Sequence, residues 1–318
     1  MKKFSIITPT YNRANFLPLI YESLIKQDFL DIEWIIIDDG SNDNTKEIVD
    51  NFERKFDIIY FYQKNAGKPT AMNLGLSLAN SLISVSFDSD DIFTDNALKT
   101  IWNYYDSPSG KFKYNCVCVS GLCQYDNGDI IGDKFPKDVY ISNHIQCRHN
   151  INIKGDKLDF ILTDVFKKTL FPVFPNEKNI APGIVLTLFS FNENTIYIND
   201  VLCEKQFLPG GLSTQNYWFK YPLGSSYYYN VSSVPPFKTI LRIKHSGLYI
   251  YFSKLGKCNN IFRKANNKNV FLLGYFYYIY FTIKLFLKNI IILQYINDKL
   301  KLYYNIFFNK SINSKVFK

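Results

Sequence analysis

Three carboxylates crowd into the four residues Asp88-Ser89-Asp90-Asp91. Their mutual repulsion is costly unless a cation or hydrogen-bond donors compensate. Carboxylate oxygens are hard ligands that suit Mn²⁺ or Mg²⁺, ions that bind through one or two carboxylates together with substrate phosphates. Asp88, Asp90 and Asp91 are therefore the candidate metal ligands, and a metal held there neutralises charge on a departing diphosphate. A helix cap or a solvated loop is the competing explanation, and position in the fold decides between them. Asp39, in the turn Asp38-Asp39-Gly40-Ser41-Asn42-Asp43, has other chemistry open to it. A carboxylate accepts a hydrogen bond from the N3–H of uracil, whereas cytosine presents an acceptor at that atom. Thymine carries the same N–H, so a uridine donor is favoured without excluding a thymidine one. Capping of a turn is the alternative role for Asp38 and Asp39. Lys68 follows a glycine ahead of a helix start, where a cation and free backbone N–H groups can meet phosphate or a sugar hydroxyl. A solvated surface lysine is the alternative there.

The elements that must position these residues are legible in the hydrophobic pattern. Over the first 125 residues short apolar runs alternate with helix-period segments, which predicts an α/β fold with a doubly wound, mostly parallel sheet. Strands are predicted over Phe4–Thr8, Glu33–Asp38, Ile58–Tyr62 and Leu82–Phe87, with helices over about 15–27 and 68–79. Ligands bind beyond the carboxyl ends of such strands. The segments there are Thr8-Pro9-Thr10-Tyr11-Asn12-Arg13, Asp38-Asp39-Gly40-Ser41, Lys64-Asn65-Ala66-Gly67-Lys68 and Asp88-Ser89-Asp90-Asp91. All four converge on one edge. The dinucleotide fingerprint and the Walker P-loop are both absent.

With 318 residues, 47% of them hydrophobic, the chain has ample material for a packed core. The net charge of +9 invites a nucleic-acid reading, so its location matters. Residues 254–318 carry 12 Lys/Arg and one acid, Asp298, a balance of +11, which leaves 9 − 11 = −2 for residues 1–253. The positive charge belongs to the tail, and no recognised nucleic-acid fold accompanies it. The six cysteines include no C-x-x-C pair and no secretory signal precedes them, so reduced thiols in the cytoplasm are expected. Cys116, Cys118, Cys123, His144, Cys147 and His149 could compose a metal site on paper. Cys116 and Cys118, however, alternate within a strand-like run, which favours ordinary packing.

The four motifs together resemble the nucleotide-binding domain of family 2 inverting glycosyltransferases, which share the GT-A fold. The matching stretches are Ser5–Arg13, Ile36–Thr45, Asn65-Ala66-Gly67-Lys68 through Ala71-Met72-Asn73-Leu74-Gly75, and Asp88–Asp91. The resemblance implies that Thr8, Pro9, Tyr11, Asp39, Asn65, Lys68 and Asp88 contact the nucleotide sugar, and that Asp88–Asp91 meet ribose, metal and diphosphate. The second half is similar to transferases that build bacterial capsular or exopolysaccharide repeat units, through Gly155-Asp156-Lys157, Phe171-Pro172-Val173-Phe174, Glu177-Lys178 and Gly211-Leu212-Ser213. Those enzymes carry a second acid shortly after the Glu-Lys pair, the general base for the acceptor hydroxyl. Here Ile180-Ala181-Pro182-Gly183 stands instead, which leaves Glu177 as the candidate base and Asp164 behind it.

Val270–Ile283 lacks charge and is rich in Phe and Tyr, with Lys284 and Lys288 following. A spanning helix needs about 20 apolar residues, so this stretch is expected to lie in the interface with its basic side toward anionic headgroups. A core helix with a basic solvent face is the alternative. The expected organisation is a nucleotide-sugar core over 1–125, an acceptor-binding segment over 126–250 and a basic, aromatic, membrane-associating region over 251–318. The expected activity is transfer from a UDP-sugar, with Mn²⁺ or Mg²⁺, to a glycan acceptor linked to polyprenyl diphosphate, at the cytoplasmic face of the membrane. A catalytically silent nucleotide-sugar sensor and a nucleotidylyltransferase are the rival readings. The second lacks its Gly-rich, Arg-bearing loop near the first strand.

Overall fold

A computed structural model describes residues 1–181, 183–205 and 217–288. Pro182, the Gly211-Leu212-Ser213 motif and the tail beyond Lys288 lie outside the described residues. The apolar runs fold as the pattern dictates: β1 (Lys2–Thr10), α1 (Leu17–Ile25), β2 (Ile32–Asp38), α2 (Thr45–Asp50), β3 (Asp57–Tyr62), α3 (Lys68–Leu78) and β4 (Ser81–Ser86). Every residue of β2 is buried, as befits a central parallel strand covered on both faces. Then come β5 (Asp91–Phe93), α4 (Ala97–Trp102), β6 (Tyr105–Asp106), β7 (Lys111–Phe112), β8 (Cys118–Tyr125) and β9 (Val139–Ser142). A π-helical turn (Ile145–Asn150) leads to β10 (Lys157–Leu162), α5 (Thr163–Lys168), α6 (Gly183–Phe189) and β11 (Thr195–Lys205). The described chain closes with α7 (Tyr217–Lys220), α8 (Pro222–Val231), α9 (Thr239–Leu255), α10 (Ile261–Lys264) and α11 (Lys268–Lys288).

Nine of the described strands form one sheet in the order β3-β2-β1-β4-β10-β8-β11-β5, with β9 beside β11. The first four run parallel. β10 then enters antiparallel to both β4 and β8, so the sheet is mixed, a correction to the mostly parallel expectation. Antiparallel neighbours need no crossover helix, and β10 arrives from a short π-helical turn and loop. The sheet also runs unbroken past residue 125, since β9, β10 and β11 share it with β1–β4.

Phe4 anchors the core, with edge-on contacts to Phe29, Trp102 and Phe160 at 5.5–6.1 Å. Phe87 and Phe93 stack at 3.8 Å on either side of Asp88–Asp91, so an apolar pair clamps the acidic turn between them. Cys116, Cys118, Cys123, Cys147 and Cys203 are buried free thiols. At the other end α8 packs on α9, and α9 meets α11 where Gly247 lies against Gly274. A Cβ on Gly247 would come within 2.7 Å of the Gly274 carbonyl oxygen. The outer face of α11 stays exposed at Leu272, Phe276, Tyr280, Ile283 and Phe286.

Candidate functional site

The loops after β1 and β2 are stitched together before any ligand is considered. Asn12 N–H donates to Ser41 Oγ (2.9 Å), Asn42 N–H to Asn12 Oδ1 (2.8 Å), Ala14 N–H to Asp43 Oδ2 (3.1 Å) and Asp39 N–H to the Thr10 carbonyl (2.8 Å). Tyr11 projects from this edge, 46% exposed, beside the half-buried Pro9. Thr8 does not face the edge. It is fully buried and its Oγ1 accepts the Trp34 indole N–H at 2.9 Å, so its side chain supports the core. Asp39 is also occupied: its carboxylate accepts from Gln63 Nε2, Ala66 N–H and Gly67 N–H at 2.7–2.8 Å. It anchors the 63–67 loop. Two buried polar atoms beside it, Thr10 Oγ1 and Asn65 Oδ1, have no hydrogen-bond partner among the described residues. Buried polar atoms are rarely left so.

The acidic turn is neutralised one carboxylate at a time. Asp88 Oδ1 meets Lys68 Nζ (2.5 Å), Asp90 Oδ2 meets Arg13 Nη1 (2.7 Å) and Asp91 Oδ2 meets Lys205 Nζ (2.7 Å). Burial alone would raise Asp88, but Lys68, Lys205 and Arg13 hold it down to about 2. Burial pushes Asp91 up while Lys205 opposes the rise. Among the described residues no three acidic, histidine or cysteine side chains converge as a metal cage. Asp91 lies buried at the β5–β11 junction with its charge spent on Lys205, which removes it from the expected metal set. Asp88 and Asp90 each keep one oxygen without a partner among the described residues. Two hard oxygens completed by a diphosphate suit Mg²⁺ or Mn²⁺, so this pair fits the expected ion.

Lys68 contributes its side chain and not its backbone. The N–H groups of Ala66 and Gly67 go to Asp39, and that of Lys68 goes to the Lys178 carbonyl at 3.0 Å. The expected free N–H groups ahead of α3 are therefore consumed. Gly67 adopts φ +97°, and a Cβ there would sit 2.4 Å from the Lys178 carbonyl oxygen, which ties the donor-side loop to the Glu177-Lys178 segment. Glu177 turns away from that loop. Its oxygens accept the Leu223 and Gly224 N–H groups at 2.6 and 2.7 Å, satisfying the start of α8. Burial raises its pKa, while those two N–H donors oppose the rise. Asp164 is exposed on α5. Its neighbour Thr163 bonds Ser81, the first residue of β4, whereas Asp88 follows that strand's carboxyl end, so Asp164 does not join the site.

Behind the acidic turn opens a cavity of about 350 Å³. Its wall includes Asp88, Lys68 and Lys205 at the mouth and Arg148, Asp159, Ser120, Tyr197 and Ser86 within. The sheet register explains the grouping. Asp159 pairs with Ser120, which pairs with Tyr197, and continuing the β10–β4 register sets Asp159 beside Ser86. Cross-strand neighbours share a face, so four polar side chains line one row of the cavity floor. Burial pushes Asp159 up to about 6, with Ser120, Arg148 and Lys157 pulling it down and Asp156 adding to the rise. The Arg148 Nη1 is buried without a hydrogen-bond partner among the described residues. Sequence reasoning missed Lys205, Arg148 and Asp159 as site residues. Arg13 stood in a recognised motif, but nothing local marked its pairing with Asp90.

Residues 5–149 match the model of the glycosyl transferase family 2, and the mixed sheet with helical flanks is a family 2-like, GT-A-like glycosyltransferase fold. Among curated proteins the chain is similar to glycosyltransferase GlyG of Streptococcus pneumoniae serotype 4, 29% identical over 189 residues covering 56% of this chain and 60% of GlyG. The match thus spans less than two thirds of that relative. Among solved structures it is similar to S. aureus TarS 1–349 in complex with UDP-GlcNAc (TM-score 0.61, 18% identity, 86% of this chain and 78% of that one). It is also similar to mannosyltransferase PcManGT of Pyrobaculum calidifontis in complex with GDP-Man and Mn²⁺ (TM-score 0.52, 16% identity, 85% and 78%).

Proposed function

We propose that this chain transfers a sugar, with inversion, from a UDP-sugar to a hydroxyl of a glycan acceptor carried on polyprenyl diphosphate, in cell-surface polysaccharide synthesis. The observation that carries the reading is the meeting of Asp88, Asp90, Arg13 and Lys68 at the carboxyl edge of β1–β4. Two carboxylates there are balanced by two cations that a diphosphate can recruit. Asp88 and Asp90 would hold Mn²⁺ or Mg²⁺, which supplies charge neutralisation for the departing diphosphate. Lys68 and Arg13 orient the phosphates. Tyr11 offers an exposed ring for base stacking, and the Asn65 amide oxygen, which lacks a partner, takes the uracil N3–H in place of Asp39. UDP-GlcNAc in TarS and GDP-Man with Mn²⁺ in PcManGT support a nucleoside diphosphate sugar as donor.

A membrane-borne acceptor is supported by α11. Its 21 residues are long and apolar enough to cross a bilayer, yet only 11% of its most apolar window is buried. Lys268, Lys284 and Lys288 punctuate it, and Lys254, Lys257, Arg263 and Lys264 precede it. Basic groups beside an exposed apolar face suit attachment to anionic lipid from the cytoplasmic side.

The test is UDP release from a panel of UDP-sugars with Mn²⁺ and a membrane extract as acceptor source. Release from at least one donor is expected, and the absence of release with every donor contradicts transfer. A second reading, a silent nucleotide-sugar-binding homologue, draws on the engagement of both Glu177 oxygens by α8. It predicts donor binding without turnover.

A further inference from the structure

Single displacement needs a group that removes the acceptor proton. Glu177 is committed to α8 and Asp164 lies toward the other end of β4. Residues 206–216 contain no acid. Four aspartates line the cavity: Asp88, Asp91, Asp156 and Asp159. Asp88 and Asp91 are each bound to a lysine within 2.7 Å, and Asp156 is exposed at the mouth, 4.0 Å from Lys205. Asp159 alone among the four has no ion-pair partner within 4.0 Å among the described residues, and it lies in the polar row of the cavity floor.

We propose that Asp159 is the catalytic base of the transfer, a role that rests on the reading of the chain as a UDP-sugar transferase. The acceptor O–H bond breaks and its proton passes to the Asp159 carboxylate. The acceptor oxygen bonds the anomeric carbon, and the bond from that carbon to the β-phosphate oxygen breaks, its electron pair leaving with UDP. Arg148, from the π-helical turn, lines the same cavity with a buried and unpaired Nη1, where it can hold the acceptor by a second oxygen. The groups felt by Asp159 come from every side: Cys118 and Ser120 on β8, Cys147 and Arg148 on the turn, Tyr197 on β11, Lys157 on its own strand and Asp156 just before it. Buried among them, its carboxyl is raised into the range where a base serves best near neutral pH.

The test compares the full-length wild type with Asp159→Asn in the UDP-release assay with a membrane extract. The expected result is a loss of kcat of about 100-fold or more, with donor KM and UDP affinity within threefold. The wild-type kcat should also fall below about pH 6, because protonation removes the base, and this limb should vanish from the residual activity of the variant. A folded carboxyl pKa raised above its unfolded value favours stability at low pH and costs stability as pH rises through about 6. Asp159→Asn should therefore melt no lower than wild type at pH 8. If the variant keeps kcat within fivefold, loses UDP affinity along with kcat, or retains the acid limb, Asp159 is not the base. If it does not fold, the wild-type profile decides, and a kcat flat from pH 5 to 8 overturns the assignment. A wild type that binds UDP yet releases none from any donor overturns the transferase reading itself, an outcome distinct from an active Asp159→Asn.

Discussion

The carboxyl edge of β1–β4 and the cavity behind it treat charge in opposite ways. At the edge each carboxylate of Asp88, Asp90 and Asp91 meets its own cation, and Asp38 and Asp39 are engaged by Ser41 N–H, Tyr60 O–H and the 63–67 loop. Within the cavity, among the described residues, Asp159 and Arg148 have no ion pair within 4.0 Å and Arg148 Nη1 has no hydrogen-bond partner. Balanced pairs hold a loop in place and yield their cations to an incoming diphosphate. Unpaired groups cost stability and await a ligand. The edge is a preformed seat, and the cavity is where reactivity is concentrated.

Gly67 ties the edge to the 177–178 segment that leads into the cavity wall at Asn179 and Ile180, so changing it should have the largest effect. In Gly67→Ala the new Cβ collides with backbone of Lys178 at a left-handed φ, and stability should fall by about 3 kcal/mol in denaturant unfolding. A loss below about 0.5 kcal/mol would mean that the loop and the 177–178 segment move independently.

Glu177→Gln sharpens the division between structure and chemistry. A carboxylate that serves the start of α8 should cost about 1 kcal/mol when replaced by an amide, with UDP release retained within tenfold. A thousandfold loss of turnover at unchanged stability would restore Glu177 as the base and break the contrast drawn above.

Thr8→Val should have the smallest effect on function. It leaves the Trp34 N–H without its acceptor, a cost of about 1 kcal/mol, visible as a lower midpoint in denaturant. UDP affinity should stay within twofold. A tenfold drop in affinity with unchanged stability would return Thr8 to the nucleotide site.

These regions also differ in how far they could be read before the fold was known. The edge comes from contiguous motifs at successive strand ends, so Asp39, Lys68 and Asp88–Asp91 converge as soon as the βαβ pattern is recognised. Their local occupancy was less legible. Asp39 appeared free for a base because the three donors that fill it lie 24–28 residues further on. The cavity is assembled from β4, β8, β10, β11 and the π-helical turn, and strand direction is not written in a six-residue run such as Lys157–Leu162. Only the antiparallel entry of β10 brings Asp159 beside Ser120. Lys205 reaches Asp91 across 114 residues, and Glu177 finds its partners 46 and 47 residues later. No local signal marks either.

The central claim is that the edge is built for a nucleoside diphosphate and a divalent cation. Isothermal titration of UDP in the presence of Mn²⁺, with wild type and Asp90→Ala, addresses it most directly. Saturable binding to the wild type is predicted, weakened about tenfold or more in the variant, which has lost a hard-oxygen ligand and released Arg13. No binding to the wild type, or equal affinity for both proteins, would contradict it.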